Sequence, residues 1–138
     1  MHVVDASVVT KWFVDQTLSD FAERVQASRR PLLAPQLMIS EVTDALRKHV
    51  RVRDITLNQA SAALQSLPNW FSEIVPMQGL ASPALAIARR IEHSAYDCFY
   101  LALAESRSAS LVTADTRLIN RLASTKYKSH VMHLTDWT

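Results

Sequence analysis

The sequence is nearly without glycine, and Gly79 is the only one in 138 residues. A GxxxxGK[ST] phosphate loop or a GxGxxG dinucleotide fingerprint needs several, because only glycine lets backbone amides approach a phosphate so closely. Nucleotide binding by either device is excluded. Cysteine is equally scarce. Cys98 stands alone, which rules out an internal disulfide and a multi-cysteine zinc site and suits a small buried apolar residue. No apolar run approaches the roughly 18 residues that cross a bilayer. The opening "MHVVDASVVTKWF" has no basic leader and is interrupted by Asp5 and Lys11, so it does not read as an export signal. The expectation is a cytoplasmic protein with no membrane association. The net charge of +2 permits a polyanionic partner without requiring one.

What is present fits one domain over residues 1–138. About half of the chain, 49%, is apolar and 20% is charged, enough for a single core. Short apolar runs alternate with helical patterns. Strands are expected at 2–5, 29–35, 70–77, 110–114 and 130–134. Helices are expected over 7–14, 18–27, 36–50, 56–67, 82–91, from about Asp97, and over 116–124. Thr56 reads as a helix cap, and Ser82-Pro83 as a cap with proline at the first helical position. The alternation points to an α/β fold with a mainly parallel sheet covered on both faces.

Four carboxylates stand apart from the other acids. Asp5 ends the first apolar strand. Asp97 heads an apolar helix, "YDCFYLALAE". Asp115 follows the strand "SLVTA" directly. Glu41 lies about 60° from Met38 on the helical wheel, at the edge of the buried stripe, whereas Asp44 turns to the polar side beside Lys48. Ligands in parallel α/β sheets bind beyond the carboxyl ends of the strands. Acids gathered there repel one another and call for a cation, and oxygen-only ligands suit Mg²⁺ or Mn²⁺. Each acid taken singly also has an ordinary explanation. Asp115 suits an N-cap, Asp97 a first-turn partner of the helix dipole, and Glu41 a solvated helix residue.

The stretches "VVDASVVTKWF", "LLAPQLMISEVTDALRK", "YDCFYLALAE" and "LVTADTRL" occur in an order and at a spacing that resemble the PIN-domain ribonucleases, most of all the VapC-type toxins of toxin–antitoxin pairs. The likeness runs from residue 2 to about residue 122. It implies a three-layer α/β/α sandwich and a Mg²⁺- or Mn²⁺-dependent endoribonuclease. It also implies RNA as substrate, a cognate antitoxin as inhibitor and a homodimer. Asp5, Glu41, Asp97 and Asp115 match the family's acidic positions, and Ser7 and Thr113 its hydroxyl positions. Ser40 stands where the family often has asparagine, which bears on the support of Glu41. The resemblance equally admits an RNA-processing nuclease without a toxin role, or a PIN module that binds RNA or protein without cutting.

Three further features concern the surroundings of the acids and the other polar clusters. Lys11, one turn past Ser7, is a candidate for phosphate binding or for neutralising the acids. The basic run 47–53 reads best as the cation-rich end of a helix. His130 and His133, three apart on a strand, face opposite ways and make a poor metal pair.

Overall fold

The computed structural model describes all 138 residues. Five strands form one sheet: β1 (His2–Val4), β2 (Leu32–Pro35), β3 (Glu73–Val75), β4 (Ser110–Thr113) and β5 (Val131–His133), in the order β3-β2-β1-β4-β5. Every pairing is parallel, with Val3 opposite Leu33 on one side and Leu111 on the other. Parallel strands need crossover connections, so their faces are covered and their residues read as unbroken apolar runs. Val3, Val4, Leu33, Leu111 and Val112 are all buried.

Seven helices supply the covering: α1 (Ala6–Val9), α2 (Ser19–Ala27), α3 (Leu37–Arg51), α4 (Leu57–Ser66), α5 (Gln78–Ile91), α6 (Ala95–Ser106) and α7 (Thr116–Leu122). The result is the expected α/β/α sandwich. α3 buries the stripe Met38, Val42 and Leu46, the i, i+4, i+8 pattern of one apolar face. Asp44 takes the solvent side and pairs with Arg47 at 2.9 Å and Lys48 at 3.6 Å. The basic run does close a helix, since α3 ends at Arg51. α4 opens on a reciprocal capping box between Thr56 and Gln59. α6 is apolar almost all round and is buried from Cys98 to Ala104, Phe99 alone being partly exposed. Such a helix belongs inside.

Two expectations shift. The first helix is shorter than 7–14. α1 stops at Val9 and a 3₁₀ turn covers Thr10–Trp12, where the Thr10 hydroxyl donates back to the Ala6 carbonyl at 2.8 Å. The helix expected from Ser82-Pro83 begins at Gln78 instead, with Pro83 inside it. Proline there removes the donor to the Gly79 carbonyl. Gly79 and Pro83 are both exposed, so water can take that carbonyl and the helix continues. No helix is long and apolar enough to cross a membrane.

Candidate active site

The carboxyl ends of β1 and β4 lie side by side, and a short hydrogen-bond lattice joins them. Asp5, just past β1, donates its backbone N–H to the Val112 carbonyl at 3.0 Å. Its Oδ2 accepts from Ser7 Oγ at 2.9 Å and from Thr113 Oγ1 at 2.7 Å. Ser7 Oγ also accepts the Ala114 N–H, and Thr113 Oγ1 accepts the Asp115 N–H. The two hydroxyls thus fix Asp5 and simultaneously set the turn that carries Asp115.

Asp5 is only 8% exposed. Burial raises its pKa above the ordinary carboxylate value, the Thr113 and Ser7 hydroxyls pull it back, and the charges of Asp97 and Asp115 push it up again. Glu41 behaves alike. Burial raises its pKa, a hydrogen bond from Tyr100 opposes the rise, and Asp5 and Asp97 add to it. Asp5 thus feels the charges of Asp97 and Asp115, and Glu41 those of Asp5 and Asp97.

Each of the four has one oxygen pinned. Tyr100 donates to Glu41 Oε1 at 2.6 Å. His93 Nε2 lies 2.6 Å from Asp97 Oδ2 and donates to it whenever Asp97 is ionised, because a carboxylate can only accept. Asp115 Oδ1 caps α7 by accepting the Arg117 and Leu118 N–H groups at 2.9 and 3.3 Å. Asp5 Oδ1, Glu41 Oε2, Asp97 Oδ1 and Asp115 Oδ2 accept no hydrogen bond. The cap explanation of Asp115 therefore accounts for one oxygen and leaves the other. Asp97 is not the cap of α6, which is Ser94 through the Tyr96 N–H at 3.3 Å; it stands in the first turn, where the helix dipole favours it.

None of the four acids pairs with a lysine or arginine. Lys11 donates to the Thr17 carbonyl at 2.8 Å, and burial lowers its pKa. It ties down the loop before α2 and does not neutralise the acids. No three acid, histidine or cysteine side chains stand close enough together to hold one ion as arranged. His130 and His133 bond separately, to the Ala109 carbonyl and to Thr135.

Tyr100 and His93 escaped the sequence reading. Tyr100 is buried and reaches Glu41 across 59 residues of chain, which no local pattern reveals. His93 lies four residues before Asp97, a spacing that could have been noticed. Ser40 makes no bond to Glu41; Tyr100 supplies the support instead. Burial and the two neighbouring carboxylates hold the Tyr100 hydroxyl protonated. Tyr100→Phe is accordingly expected to move the Glu41 titration further up, followed by carboxyl NMR, with little change in fold. An unmoved titration would show that Tyr100 is only packing. Cys98 is fully buried, which pushes its thiol up to about 11, so it serves as a small apolar residue.

A family model described as the PIN domain matches residues 2–124. The chain belongs to the PIN-domain family. The relatives agree with the likeness of its motifs to VapC-type ribonuclease toxins. Ribonuclease VapC3 of Pyrobaculum aerophilum is 31% identical over 121 residues, covering 86% of this chain and 92% of the relative. Ribonuclease VapC1 of Mycobacterium tuberculosis is 34% identical over 119 residues, covering 84% and 86%. A toxin–antitoxin complex from Klebsiella pneumoniae superposes on this PIN domain with a TM-score of 0.72 at 15% identity, covering 97% of this chain and 98% of that one. At that identity the superposition speaks for the fold alone.

Proposed function

We propose that this PIN domain is a Mg²⁺- or Mn²⁺-dependent endoribonuclease, the toxin of a toxin–antitoxin pair. Asp5, Glu41 and Asp97, too far apart to share one ion as arranged, would draw together to hold the cation, and Asp115 would join them directly or through water. One observation carries the reading. Four carboxylates at the carboxyl end of a parallel sheet each keep one oxygen free and have no lysine or arginine among them. That donor set is all oxygen and multiply charged, which fits a hard divalent cation. The relatives bearing the name ribonuclease support RNA as the substrate.

When bound, such a cation supplies charge neutralisation, polarisation of a phosphoryl oxygen and activation of water. The chain's own residues do the remaining work. Ser7 and Thr113 hold Asp5 in a single orientation, Tyr100 does so for Glu41, and His93 for Asp97, as outer partners of metal ligands do. Without a cation the acids repel a phosphodiester, since like charges at short range in a half-buried setting are costly. Hydrolysis by these side chains alone is therefore not expected.

A toxin role adds an inhibiting antitoxin and a second copy of the chain. It also places the protein in the cytoplasm with its RNA.

The test uses the wild-type protein. Titration with Mn²⁺ in a calorimeter should give saturable binding below millimolar concentration. RNA cleavage should appear with Mn²⁺ or Mg²⁺ and vanish in EDTA. Absence of any binding at millimolar Mn²⁺ would reduce the acids to structural groups and leave the PIN domain as a binding module.

A further inference from the structure

Tyr96 is the aromatic side chain that the fold leaves without a task. It directly precedes Asp97 in the first turn of α6 and is 64% exposed. Its ring takes part in none of the aromatic pairs of the molecule, and its hydroxyl makes no hydrogen bond. Tyr100, one turn later, is buried and bonded to Glu41.

Tyr96 forms one wall of an open cavity of about 470 Å³. The facing wall is α3, through Leu37, Ser40, Glu41, Ala45 and Lys48. Glu41 belongs both to this cavity and to the acidic cluster, so the cavity opens directly beside the acids. Five of its eight lining residues are polar or charged. The exposed lining surface is nonetheless more apolar than polar, a mixture of apolar faces and polar edges. It suits a flat, polar-edged heterocycle.

We propose that this cavity is the subsite for one nucleobase of the RNA strand flanking the cleaved phosphodiester, with Tyr96 as its stacking face. The proposal rests on the nuclease reading above. Base–aromatic stacking needs an exposed ring and tolerates any base, because every base has a π-face. Leu37 and Ala45 give the cavity apolar surface to meet the heterocycle. Ser40 brings a hydroxyl without a hydrogen bond in the fold, free to donate to or accept from a base edge.

Charge continues the path. Asp44 is shared by Arg47 and Lys48, two cations on one carboxylate, leaving one positive charge in excess at the end away from Glu41. Lys48 lies seven residues beyond Glu41, about 10 Å along the helix axis. A strand leaving the acids past Tyr96 meets that charge with its next phosphate.

The test compares wild type with Tyr96→Ala and Tyr96→Trp. Binding is read by fluorescence anisotropy of a fluorescein-labelled random-sequence 12-mer RNA in Ca²⁺ without Mn²⁺, and steady-state cleavage of the same RNA is read in Mn²⁺. Circular dichroism checks the fold of each variant. Tyr96→Ala should weaken RNA binding about tenfold, within the range for losing one stacked base. It should raise KM similarly and leave kcat within about threefold, while Tyr96→Trp stays near wild type. Cleavage by the wild type with RNA affinity and KM unmoved in Tyr96→Ala would overturn the subsite and leave the nuclease reading intact. A tenfold loss of RNA affinity in a protein that does not cut would keep the subsite and sink the catalysis. Loss of binding to an antitoxin peptide, with RNA affinity unchanged, would assign the cavity to protein and overturn the proposal. A wild type that binds no RNA overturns both.

Discussion

Asp5→Asn is expected to abolish RNA cleavage while making the metal-free protein more stable. The side chain keeps its shape, and Ser7 and Thr113 can still donate to its remaining oxygen. What disappears is a buried negative charge with two acidic neighbours. The cleavage loss should exceed the roughly 10–100-fold typical of losing an outer partner of a metal ligand, because here the ligand itself goes.

The sign of the stability change follows from the raised pKa. Between the ordinary carboxylate value and the raised native one, the folded protein holds a proton that the unfolded chain has released. Stability therefore falls as pH rises through that window and stays lowered at neutral pH. Asparagine removes that pH dependence, so the variant should melt higher than wild type in EDTA at pH 7 and differ less at pH 4. Mn²⁺ should reverse the ranking. A ligand at about 100 times its Kd stabilises by roughly 2.7 kcal/mol, and only the wild type should receive it. If Asp5→Asn melts lower than wild type in EDTA, the two hydroxyl bonds outweigh burial, and Asp5 is a structural carboxylate.

Leu103→Ala is expected to cost stability and spare catalysis per folded molecule. Leu103 is fully buried in α6, and deleting its methyl groups loses transfer energy and leaves a cavity, about 2–5 kcal/mol together. Against a total of about 5–15 kcal/mol for a domain this is a large share, and the melting temperature should fall by roughly 10 °C. Leu85→Ala is the control. Leu85 is 68% exposed on α5 and should change stability by less than about 0.5 kcal/mol. Urea midpoints with unchanged slopes would measure both. A loss below about 1 kcal/mol for Leu103→Ala would mean that α6 does not anchor the core as its burial implies.

The contrast between these variants separates what was legible in the sequence from what was not. β1 and β2 were visible as short apolar runs, and β4 as Leu111-Val112 between two hydroxyl residues, because a strand covered on both faces has little polar side to display. Glu41 and Asp44 could be sorted by helical angle, since the periodicity of α3 is strong. Local signals misled at Ser82-Pro83. They are the chemistry of a helix start, yet α5 begins before them because an exposed turn lets water replace the missing hydrogen bond.

Composition, periodicity and spacing by themselves determined the fold class, the near-absence of glycine and cysteine chemistry, and four acids set at strand ends or helix edges. Those properties are short-range, each readable within a few turns of chain. Only the tertiary structure decided how the acids are held. Thr113 reaches Asp5 across 108 residues and Tyr100 reaches Glu41 across 59. It also decided that Lys11 turns to the Thr17 carbonyl, and that Tyr96 and Ser40 face one cavity. Contacts between distant residues depend on how strands order within the sheet and on which face each helix turns inward, and no local pattern encodes that.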